Sequence, residues 1–66
     1  MGKDLGLRIA ETLQKRSMSQ RELARLVGVT EAVMSRYVSG EREPKPDVLA
    51  NIATALHTTS DYLLGI

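Results

Sequence analysis

Five basic side chains stand between positions 15 and 36, Lys15, Arg16, Arg21, Arg25 and Arg36, against two acids, Glu22 and Glu31. From Glu41 to the end the balance reverses, with Arg42 and Lys45 against Glu41, Glu43, Asp47 and Asp61. The chemistry open to this pattern is the binding of an anion by the middle of the chain, where a planar guanidinium can donate to two neighbouring acceptors at once. The whole-chain charge of +1 carries no such information, and a solvated helix surface is the commoner cause of a basic stretch. What decides between them is how the intervening residues position the bases.

Other chemistries are poorly served. Cysteine is absent and His57 is the single histidine, so neither a disulfide framework nor a zinc site with nitrogen and sulfur ligands can form. Glu41 and Glu43 are the nearest approach to paired carboxylates, without a nucleophile and base, a metal cluster or a phosphate-cradling glycine loop beside them. No enzyme, metal or cofactor is expected. No apolar run approaches the roughly 20 residues of a membrane span, and no signal-peptide pattern opens the chain, so a cytoplasmic location is expected.

At 66 residues the chain is read as one domain, residues 1–66, with no repeat or linker. Leu5, Ile9 and Leu13 recur every fourth position and predict an amphipathic helix over residues 4 to 16. "SQRE" at 19 to 22 reads as a capping box, with Ser19 accepting from the Glu22 amide and the Glu22 carboxylate reaching back to the Ser19 amide. The second helix then turns Leu23, Ala24 and either Leu26 or Val27 inward and stops at Gly28. Thr30 caps a third helix through Val38, with Met34, Tyr37 and Val38 inward and Gly40 closing it. Pro46 fits the first turn of a fourth helix rich in apolar positions, Val48, Leu49, Ile52, Ala53, Ala55 and Leu56. Thr58 or Thr59 caps a short fifth helix.

Helices two and three, joined through Gly28-Val29, form a helix-turn-helix: Gly28 allows the sharp exit and Ala24 lets the second axis come close. Around that unit stand Ser19-Gln20, Leu23-Ala24, Gly28-Val29-Thr30, Met34-Ser35-Arg36-Tyr37, Gly40 followed by Pro44, Leu49, Ile52-Ala53, Ala55-Leu56 and Asp61-Tyr62-Leu63-Leu64. In these positions residues 18 to 65 resemble the phage repressor and Cro type of helix-turn-helix domain, the XRE family. The fold implied is all-α, a compact five-helix lambda-repressor-like domain. The function implied is sequence-specific binding of double-stranded DNA by a bacterial or phage transcriptional regulator of repressor type, as a homodimer on a palindromic operator.

The resemblance places residues 30 to 38 in the major groove, with Glu31, Ala32 and Arg36 at base-reading positions and Ser35 near the DNA backbone. Helical geometry agrees, because turning Met34, Tyr37 and Val38 inward leaves Glu31, Ala32, Ser35, Arg36 and Ser39 on the outer face. Arg36 can fork onto guanine O6 and N7. Gln20 is assigned to a phosphate at the start of helix two, and further phosphate contacts are expected from Arg21, Ser39, Arg42 and Lys45. Glu31 runs against the trend. Its carboxylate meets the positive end of the helix dipole, which accounts for an acid there without DNA, and from that place it can also accept from cytosine N4.

Two positions depart from the family pattern. Leu13 and Val38 stand where many members carry an internal arginine–glutamate pair, a joint replacement that leaves no buried charge unpaired. His57 stands where a helix-ending glycine is common, and is read as a left-handed cap. XRE domains also occur in antitoxins and in regulators controlled by a partner protein, so a protein-interaction module is the second functional reading.

Overall fold

A computed structural model describes the backbone of residues 2–66 and the side chains from Asp4 onward. Five helices follow in order: α1 Gly2–Lys15, α2 Gln20–Val27, α3 Glu31–Ser39, α4 Pro46–Ala55 and α5 Ser60–Leu64. Each starts or stops for a local reason. Ser19, Thr30 and Thr59 cap α2, α3 and α5, each accepting a hydrogen bond from the amide three residues on, at 3.0 to 3.1 Å. Thr59, not Thr58, is therefore the last cap. Gly28 and Gly40 close α2 and α3 in the left-handed region, at φ 88° and 83°, where a side chain would be strained.

The capping box forms by half. The Glu22 amide donates to Ser19 Oγ, but the Glu22 carboxylate turns to the Arg25 guanidinium at 2.7 Å instead of reaching back to Ser19. A charged partner one turn ahead is a stronger donor than a neutral amide that water can also satisfy.

Every helix sends at least one side chain to the same centre. Ile9, Leu23, Met34, Ile52, Leu56 and Leu63 are fully buried, and Leu5, Leu13, Ala24, Tyr37, Leu49 and Ala53 surround them. Val27 packs against this cluster while Leu26 is 48% exposed, which settles the choice left open between them. Val38 is half-buried against the same core, and Leu13 is buried. Among the described residues Thr12 is the buried polar side chain, and its hydroxyl donates to the Arg8 carbonyl at 2.7 Å.

α1 approaches the end of α3 closely at Gly6. A Cβ there would land on the Val38 carbonyl oxygen and within 2.8 Å of the Tyr37 oxygen, so the missing side chain lets α1 rest directly on the end of α3. The other end of α1 is tied to α4. Arg16 donates from Nε to the Leu56 carbonyl and from Nη2 to the His57 carbonyl, both at 3.0 Å. A guanidinium there satisfies orphan carbonyls at a helix C-terminus and meets its negative dipole end. His57 takes φ 56°, the left-handed cap expected of it, and Ser17 takes φ 54° at the exit of α1.

Candidate nucleic-acid interface

α3 divides cleanly by depth. Met34 and Tyr37 are buried and Val33 and Val38 half-buried, while Glu31, Ala32, Ser35, Arg36 and Ser39 are exposed. The spacing follows from 3.6 residues per turn, and it puts the three expected base-reading residues on one outer face. Glu31 lies in the first turn, beside amides that no intrahelical acceptor can reach. Gln20 is half-buried and Arg21 exposed in the first turn of α2, and Lys45 is exposed at the N-cap of α4, where it makes no side-chain capping bond.

The end of α3 is tightly organised around one atom. The Arg36 carbonyl accepts from the Glu41 amide at 3.0 Å, the Arg42 amide at 3.2 Å and the Ser39 hydroxyl at 3.1 Å. Ser39 Oγ also accepts from the Glu41 amide at 3.3 Å. Residues 39 to 42 thus fold back over the last turn of α3, bringing Arg36, Ser39, Glu41 and Arg42 together. The Glu41 carboxylate reaches the Arg36 side chain, Oε2 lying 3.7 Å from Nε.

Three of the five mid-chain bases already have intramolecular partners. Arg16 holds α4, Arg25 pairs with Glu22, and Arg36 faces Glu41. The hydrogen bond from Arg25 holds the Glu22 carboxyl below its ordinary range and raises the Arg25 guanidinium in turn. Among the described residues Lys15, Arg21, Arg42 and Lys45 are exposed and enter no ion pair or side-chain hydrogen bond, Lys15 at the end of α1 and the other three on α2 and the turn between α3 and α4. Glu41, Arg16 and Gly6 are the residues that sequence reasoning did not place. For Glu41 a signal existed: an acid directly after the capping Gly40 is brought back beside the last turn of the helix it follows.

Residues 9–63 match the family described as Helix-turn-helix. The chain belongs to this family. Two Bacillus subtilis (strain 168) members are similar to it. The HTH-type transcriptional regulator ImmR is 33% identical over 61 residues, covering 92% of this chain and 48% of that protein. The regulator AnsR is 36% identical over 58 residues, 88% of this chain and 50% of that protein. The chain thus spans about half the length of either regulator. Among helix-turn-helix structures, the DNA-binding domain of the P22 c2 repressor superposes with a TM-score of 0.89 at 31% identity, covering 97% of this chain and 84% of that one. The P22 c2 repressor in complex with synthetic operator 9T gives 0.84 at 32% identity, with 89% of each chain covered. The five-helix phage-repressor fold expected from the spaced residues is the fold found.

Proposed function

We infer that this chain is the DNA-binding domain of a transcriptional regulator of repressor type, reading double-stranded DNA through the outer face of α3. The observation that carries the reading is that face itself. It is small and polar from Glu31 to Ser39, it has no part in the core, and it stands on the fold the P22 c2 repressor uses with its operator. Glu31, Ala32 and Arg36 read base edges; Gln20, Arg21, Ser35, Ser39, Arg42 and Lys45 hold phosphates. Ser39 does so while its hydroxyl also serves the turn after α3, which makes it the weakest of these donors.

A helix about 13 Å long reads few base pairs, so the domain acts as a homodimer on two half-sites about one DNA turn apart. The site of action is the cytoplasm, on the nucleoid. No helix among the described residues is long and apolar enough to cross a membrane. The competing reading, a module controlled by a protein partner, draws support from the modest number of uncommitted bases.

Salt separates the two readings. Binding to duplex DNA should fall with salt at a log-log slope of roughly −4 to −5, as for about 4 to 6 phosphates neutralised by a dimer. Arg42→Ala should weaken all sequences alike and make that slope shallower by about 1 for each phosphate left without its cation. Duplex binding that is absent or insensitive to salt overturns the DNA reading and leaves the partner-controlled one.

A further inference from the structure

We propose that Glu41 is a positioning residue for Arg36, holding its guanidinium so that the terminal amino edge is presented to a guanine. The proposal rests on the reading of α3 above. Its basis is the fixed place of Glu41: its amide is held by the Arg36 carbonyl at 3.0 Å and by Ser39 Oγ at 3.3 Å, on a turn made obligatory by the left-handed Gly40. The side chain therefore starts beside Arg36 rather than finding it by chance, and its Oε2 lies 3.7 Å from Nε. A carboxylate on the Nε side leaves the two Nη groups as free donors, a pair that can span the O6 and N7 acceptors of one guanine.

Both side chains are more than half exposed, at 53% and 70%, so in the free protein the pair is weak and screened. In a groove that excludes water the same two charges attract more strongly. An arginine already restricted on the protein also loses less rotamer freedom on binding. A carboxylate near DNA is repelled by phosphates wherever the complex forms. Its gain is confined to sites with a guanine under Arg36, so Glu41 lowers affinity in general and raises selectivity at one base pair.

The test is selection of bound oligonucleotides from a randomised duplex library by the wild type, Arg36→Ala, Glu41→Ala and Glu41→Asp, with thermal midpoints measured alongside. Arg36→Ala should lose guanine preference at one base pair. Glu41→Ala should lower that same preference by about 2- to 10-fold, the range set by ordering one long side chain, while binding random duplex more tightly. Glu41→Asp is the discriminating variant. It keeps the charge but is one methylene shorter, so it should lose guanine preference like alanine while still binding random duplex weakly.

In the Arg36→Ala background the Glu41 changes should leave base preference unmoved. If Glu41→Asp and Glu41→Ala both keep wild-type preference while Arg36→Ala loses it, Glu41 is a bystander and this inference alone fails. If Arg36→Ala changes preference at no base pair, the base-reading role of Arg36 fails and the role of Glu41 falls with it.

Discussion

Gly6→Ala gives the sharpest test of how α3 is held. In most helix interiors this substitution is favourable by about 1 kcal/mol, because alanine loses less backbone freedom on folding. Here the added methyl would meet the Val38 carbonyl oxygen, with the Val38 carbonyl carbon at 2.7 Å and the Tyr37 oxygen at 2.8 Å. Comfortable separations for such atoms are about 3.5 Å or more, so α1 and the end of α3 must part by roughly 1 Å. All three obstacles are backbone, and no rotamer change relieves them. Overpacking of this kind costs about 1 to 3 kcal/mol, the upper end applying where side chains cannot yield. Subtracting the propensity gain leaves a net destabilisation of about 2 kcal/mol, or a fall in thermal midpoint of about 8 to 16 °C for a domain of this size. Circular dichroism melts of Gly6→Ala beside Leu7→Ala read this directly. Leu7 is 59% exposed, and its replacement should stay within about 0.5 kcal/mol. A Gly6→Ala midpoint equal to or above that of the wild type would refute the close packing of α1 on α3.

Two further outcomes are expected. Arg16→Ala removes both bonds to the end of α4 and should lower stability by about 1 to 2 kcal/mol, with Arg16→Lys intermediate because an ammonium cannot bridge two carbonyls as a planar fork does; urea denaturation of the three proteins should rank them in that order. Glu31→Gln should lower stability by about 0.3 to 1 kcal/mol through the lost interaction with the helix dipole, and titration against single-base operator variants should show tighter random binding with an altered preference at one position. A Glu31→Gln protein unchanged in both DNA measurements would leave Glu31 a helix-start residue only.

The elements legible in the sequence were those fixed by nearest neighbours. Ser19, Thr30, Gly28 and Gly40 act on amides and carbonyls within four residues, so their types and spacing suffice to bound α2 and α3. The outer face of α3 was legible for the same reason, since helical period alone separates Met34 and Tyr37 from Arg36. Choices that depend on what lies opposite were not. Leu26 and Val27 are both apolar and adjacent, and only the tertiary packing decides that Val27 is set against the core. The clamp from Arg16 to Leu56 joins residues 40 apart, and nothing in the spacing around position 16 distinguishes an arginine that ties down a helix from one that meets solvent. Gly6 is silent for the same reason: within α1 it reads as a weak helix position, and its use exists only because Val38 arrives there. The turn at Ser17 lacks the glycine that marks such exits, and Met18 closes it by donating to the Leu13 carbonyl at 2.9 Å.

The division of α3 into a buried and an exposed face has a bearing on how such a domain changes its target over time. Glu31 and Ala32, proposed to read base edges, are exposed, so these positions are free to drift one at a time toward new base pairs at little structural cost. Position 36 is different. On the proposed roles of Arg36 and Glu41, replacing Arg36 by a neutral or acidic residue leaves the Glu41 carboxylate, held on the turn after α3, without its partner, so the substitution should be penalised on every sequence until position 41 changes too. Retargeting should therefore proceed by single steps along most of the helix and by paired steps at 36 and 41. A set of diverged relatives, or a laboratory selection for a new operator, would register that as correlated replacement at those two sites.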